Sequence, residues 1–81
     1  SITADKVNVV QISTLEADES QRGEFDRLSS VSKDPAAVEK AQAELKSDAA
    51  LTEILASKNV QLQNVVEVKT AADGGKIVYV K

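Results

Sequence analysis

The stretch VVEVKTAADGGKIVYVK, residues 65–81, constrains this chain more than any other. Two runs rich in β-branched residues flank A-A-D-G-G, and such runs joined through adjacent glycines read as a β-hairpin. Side-chain alternation then argues for a register. A three-residue loop, built on a type I turn with Gly74 or Gly75 left-handed, sets Val66 and Val68 on the same face as Val78 and Val80. A two-residue Asp-Gly loop would instead bring Val68 opposite Tyr79 and Glu67 opposite Val80, mixing charge into the apolar face. The pattern predicts the three-residue loop with a bulge. One glycine of the pair needs positive φ, so replacing that one with Val is expected to cost more than replacing the other. A phosphate cradle is the competing reading of Gly-Gly-Lys, but it requires the glycines to open a helix. Ile77, Val78 and Tyr79 follow Lys76 here and cannot start an amphipathic helix.

A third strand is read at VNVVQIST, residues 7–14, which is β-branched and free of Gly and Pro. Val7 and Val9 point one way, Val10 and Ile12 the other, so the strand is apolar on both faces and belongs inside a sheet or under a cover. Between the strands the signals turn helical. Asp34 followed by Pro35 is an N-cap with proline at the first helical position. The run after it places Val38, Ala41 and Leu45 on one stripe. Ser47 or Asp48 opens a second helix that buries Leu51, Ile54 and Leu55. Asn59 is suited to a left-handed residue that ends it, with Val60 folding back as the hydrophobic contact. Residues 15–34 are less regular. Phe25 and Leu28 are spaced i, i+3 behind a cap at Asp18 or Ser20, while Gly23 and the serines beyond Leu28 weaken the helix, so a short helix followed by a loop is predicted.

These elements predict a small α+β domain spanning residues 1–81. Its sheet has three strands, antiparallel or mixed, formed by the N-terminal strand and the C-terminal hairpin, with two or three helices on one face. A chain of 81 residues cannot build a second core. Phe25 and Tyr79 are the only aromatic residues, so the core is aliphatic and bases or sugars are not recognised by stacking. The net charge is −3 and the basic residues are scattered singly, which argues against nucleic acid as a partner. No apolar run approaches the ~20 residues needed to span a bilayer. The chain opens Ser1-Ile2-Thr3-Ala4 without methionine. An excised initiator, a trimmed product and a mature periplasmic or secreted domain all account for that start, the last in keeping with an acidic, cysteine-free chain.

The inventory for chemistry is short. Without histidine or cysteine the chain lacks the side chain that titrates near neutrality, the thiolate nucleophile and the usual transition-metal ligands, so no enzyme, cofactor or metal site is expected. Asp18, Glu19, Glu24 and Asp26 can be laid on a calcium-loop template, but Arg22 then falls at the fifth position and Ser29 at the twelfth, where a glutamate is required. Ser29, Ser30 and Ser32 have only Lys33 nearby as a base, in what reads as an exposed loop. Binding is the better reading. The hairpin face opposite the valines carries Val65, Ile77 and Tyr79 among Glu67, Lys69 and Lys81, and with helices on one sheet face only it would meet another protein or a second copy of the chain. If residues 15–33 cover that face instead, it is core. The C-terminal strand, if it lies at an edge, offers a second contact element. The expected role is therefore a non-enzymatic protein-binding or structural module. The alternative is an ion- or ligand-binding accessory domain using the acidic segment 16–26.

Overall fold

A computed structural model describes residues 2–81. A 3-10 turn at Ala4–Lys6 leads into β1 (Val7–Gln11), and α1 (Ile12–Leu15) follows without a break. A second 3-10 turn, Glu19–Gln21, opens α2 (Arg22–Ser32). The helices α3 (Pro35–Lys46) and α4 (Ala49–Ser57) come next, then a 3-10 turn at Leu62–Asn64 and the hairpin strands β2 (Val65–Thr70) and β3 (Lys76–Val80). The sheet is mixed, in the order β1-β3-β2. β1 runs parallel to β3, and β2 antiparallel to it.

The helix ends follow from local chemistry. Asp34 Oδ1 accepts hydrogen bonds from the amides of Ala36 (3.1 Å) and Ala37 (3.4 Å), satisfying two of the donors that every helix start leaves unpaired. Asp34→Ala is therefore expected to lower stability by about 1 kcal/mol without altering the sheet. Chemical denaturation with an unshifted midpoint would contradict it. Asp48 caps α4 in the same way through the Leu51 amide, so the helical region is two rods, as a second start at Ser47 or Asp48 predicts. At the end of α4, Asn59 adopts φ 61°. The amides of Asn59 and Val60 reach back to the carbonyls of Ala56 and Leu55, both at 3.0 Å, forming a Schellman motif with Val60 against the core.

The hairpin turn has the predicted geometry. The Gly74 amide donates to the Ala71 carbonyl and the Ala71 amide to the Gly75 carbonyl, closing a loop of Ala72, Asp73 and Gly74, with Gly74 at φ 86°. Val68 faces Val78 as the register requires. Further along, the pairing shifts. Val65, not Val66, lies opposite Val80, because a bulge makes Val66 the extra residue and turns it to the other side of the sheet.

That reversal matters because both sides are covered. On one side Val7, Val65, Val78 and Val80 pack with Ala41 and Leu45 of α3 and Leu51 and Leu55 of α4. On the other, Val66 and Tyr79 pack with Ile12 and Leu28, flanked by Phe25 and Val31. The expectation of helices on one face is thus corrected: α2 closes the second. The segment expected to be a short helix and a loop is helical through Ser32, because Phe25, Leu28 and Val31 form an i, i+3, i+6 stripe with somewhere to be buried. The first strand is shorter than predicted for the same reason. Ile12 leaves the sheet to start α1 and packs into the apolar cluster on this side of it. Among the described residues no helix is long and apolar enough to cross a membrane.

Candidate functional site

Of the residues expected to form a contact face, two are inside. Val65 is fully buried and Tyr79 is 8% exposed; Ile77 is half-buried beside Tyr79. Val65 lies in the core beneath α3 and α4, while Ile77 and Tyr79 belong to the core beneath α2, so these three residues do not share a surface. The bulge separates them, and α2 covers the latter pair.

Polar residues of the same segment fasten that cover. Arg27 of α2 reaches Glu67 of β2 with both terminal guanidinium nitrogens, Nη1 to Oε1 at 2.9 Å and Nη2 to Oε2 at 2.8 Å. This is the planar fork that arginine alone can present to a carboxylate. Glu24 pairs with Arg27 through Oε1 and with Lys69 through Oε2, the latter at 3.8 Å, and the Lys69 ammonium sits 5.7 Å from the centre of the Tyr79 ring. The hydrogen bonds from Arg27, helped by the charges of Arg27 and Lys69 and opposed by burial, hold the Glu67 carboxyl below the usual glutamate pKa.

A carboxylate whose pKa is depressed on folding adds stability above its unfolded pKa and loses it as pH falls through the folded value. Wild-type stability is therefore expected to decline on acidification below the ordinary glutamate range. Glu67→Gln should show a shallower decline over the same range, as Asp5, Asp18 and Asp73, also held low, remain in both proteins. Urea midpoints as a function of pH check this. Parallel curves for the two proteins would mean that the fork adds nothing to folding.

Two carboxylates of the acidic segment have structural partners. Asp18 caps the 3-10 turn through the Ser20 amide and hydroxyl, and Glu24 is committed to its two cations. Among the described residues no three acidic side chains converge on one point. Ser29, Ser30 and Ser32 lie on α2 rather than in a loop, with the Ser32 hydroxyl donating to the Ser29 carbonyl. Lys33 is the residue that ends that helix.

The edges of the sheet then stand out. The C-terminal strand is central, so it is not the edge that a contact there would require: β1 and β2 are the outer strands. β2 carries the bulge at Val66 together with Glu67 and Lys69, features that discourage pairing with a further strand. β1, VNVVQ, has no charge, proline or bulge. Asn8 and Gln11 are exposed, and Val9 and Val10 are half-buried on its two faces. The composition of VNVVQ was plain from the sequence; that it lies at an edge follows only from the strand order. Comparisons with protein-family models, with curated proteins and with solved structures find no match.

Proposed function

We propose that the chain is a small non-enzymatic structural module that assembles by protein contact through the open edge of β1, the partner strand coming from a second copy. What supports the reading is the contrast between the two outer strands. β2 is guarded by a bulge and two charges, whereas β1 offers unpaired backbone groups and an uncharged run.

Antiparallel pairing about a two-fold axis at Val9 sets Val9 against Val9, Asn8 against Val10 and Val7 against Gln11. No like charges meet, so the strand is compatible with its own copy. The product would be one continuous six-stranded sheet. The strand is only five residues long, so association is expected to be weak and concentration-dependent. The absence of histidine and cysteine also favours a binding role over catalysis.

Sedimentation equilibrium up to millimolar concentration tests this. The wild type should dimerise, and Asn8→Lys combined with Gln11→Lys, both at exposed positions, should keep the folded monomer. A wild type that stays monomeric throughout overturns the reading, as does a dimer that the two lysines leave intact.

A further inference from the structure

We infer that a cleft at the carboxyl ends of the parallel strands β1 and β3 binds a small organic anion, a carboxylate with a short aliphatic tail. The cleft, about 550 Å³, lies between the ends of these strands and the loop that follows α4. That volume is within the range of small-molecule sites and far exceeds an inorganic ion.

Its lining is biased in charge. The whole chain has 13 acidic residues against 10 basic ones, yet the residues lining the cleft include Lys58 and Lys81 and neither Asp nor Glu. Among the described residues neither ammonium belongs to an ion pair, a state they share with Lys33, Lys40 and Lys46, so both are available to a ligand. Lys58 follows the last turn of α4, where a cation also suits the helix dipole, but that reason does not extend to Lys81. Gln11, Asn59 and Asn64 also line the cleft, and their side-chain amides are neutral donors.

The backbone beneath these groups is held in place. The Lys58 and Asn59 amides are tied to the last carbonyls of α4, and the left-handed Asn59 sets the direction of the loop. On the opposite side, the Lys81 amide donates to the Asn64 carbonyl at 3.0 Å. Val60 and Val80, both packed in the adjoining core, supply an apolar wall. A carboxylate would meet the two ammoniums and the amides while its tail lies along the valines. Neither a bare oxyanion nor a neutral chain uses both features.

NMR titration of the labelled protein with hexanoate, hexanol, hexylammonium and inorganic phosphate tests the assignment. Hexanoate should bind saturably and shift the backbone amides of Lys58, Asn59, Val60 and Lys81, and should bind at least tenfold more weakly to Lys58→Gln with Lys81→Gln. Both lysines are exposed, so the double variant is expected to fold, which its unchanged amide dispersion would verify. Hexanol and hexylammonium should leave those amides unshifted. The inference is overturned if hexanoate does not saturate, if it shifts amides elsewhere, or if the double variant binds it equally well. Phosphate or hexylammonium binding as tightly as hexanoate would overturn the ligand class. Val9, Val10 and Gln11 of β1 also line the cleft, but both lysines lie outside β1, so the double variant leaves the pairing strand unchanged and sedimentation reads dimerisation separately.

Discussion

Replacing Leu28 with Ala is expected to remove about 2–5 kcal/mol of stability, and Tyr79→Lys is expected to abolish the cooperative folding transition. Leu28 is fully buried on the inner side of α2, and Tyr79 is among the residues it packs with on the sheet. A chain of this size has only about 4–12 kcal/mol of total stability. Losing Leu28 removes a large part of it, and burying an ammonium among Ile12, Leu28 and Val66, where the facing Glu67 carboxylate is already taken by Arg27, costs more than what remains. The substitutions also discriminate between two pictures of the sheet. If the Tyr79 face were open to a partner, Leu28→Ala would cost a few tenths of a kcal/mol as a surface change and Tyr79→Lys would yield a folded protein with altered assembly. Urea denaturation followed by circular dichroism separates the two.

The other large effect is expected at Gly75, for a reason distinct from turn conformation. Gly74 holds the left-handed position, and a side chain there would stand in open space. At Gly75 a Cβ would lie 2.7 Å from the backbone carbonyl oxygen of Lys6, the residue that leads into β1. A backbone atom cannot rotate aside as a side chain does, so β1 must move away from β3. Val is strained at Gly74 by the left-handed backbone, as expected, and Gly75 carries a second cost of its own in the Lys6 carbonyl. Gly74→Asn should be tolerated, since Asn accepts the left-handed conformation, whereas Gly75→Val should cost about 3 kcal/mol and loosen β1 first. Asp73 reinforces this junction, accepting from the Gly75 amide at 2.9 Å and pairing with Lys6 at 3.3 Å. Hydrogen exchange in Gly75→Val should show β1 amides losing protection ahead of those shared by β2 and β3. Uniform protection across the three strands would show that the contact is relieved without moving β1.

The same junction illustrates which parts of the architecture a reader of the sequence is able to see. Asp34 before Pro35, Asp48 before its helix, Asn59 after it and Gly74 in the turn each act on neighbours within a few residues, and each has the predicted role. Such features are legible because the chain itself brings the interacting groups together. α2 is harder to recognise. Its propensity is weakened by Gly23 and by three serines, and it is helical because Phe25, Leu28 and Val31 find a sheet face to cover. The candidate site shows the same division. The residues proposed as an interface were chosen by alternation along two strands, and one bulge at Val66 was enough to separate Val65 from Ile77 and Tyr79.

By itself the sequence determined an α+β domain with an N-terminal strand, capped helices and a C-terminal hairpin turned at the Gly74-Gly75 pair, because caps, turns and hydrophobic periodicity are local. Only the tertiary structure decided that β3 is central, that β1 joins it in parallel and that α2 closes the second face. Those outcomes rest on contacts between residues far apart in the chain, such as Val9 with Val78 and Arg27 with Glu67. They also decided where recognition can occur. An edge strand and a cleft at the carboxyl ends of β1 and β3 exist only once the strands are ordered, since each is assembled from segments that share no local signal.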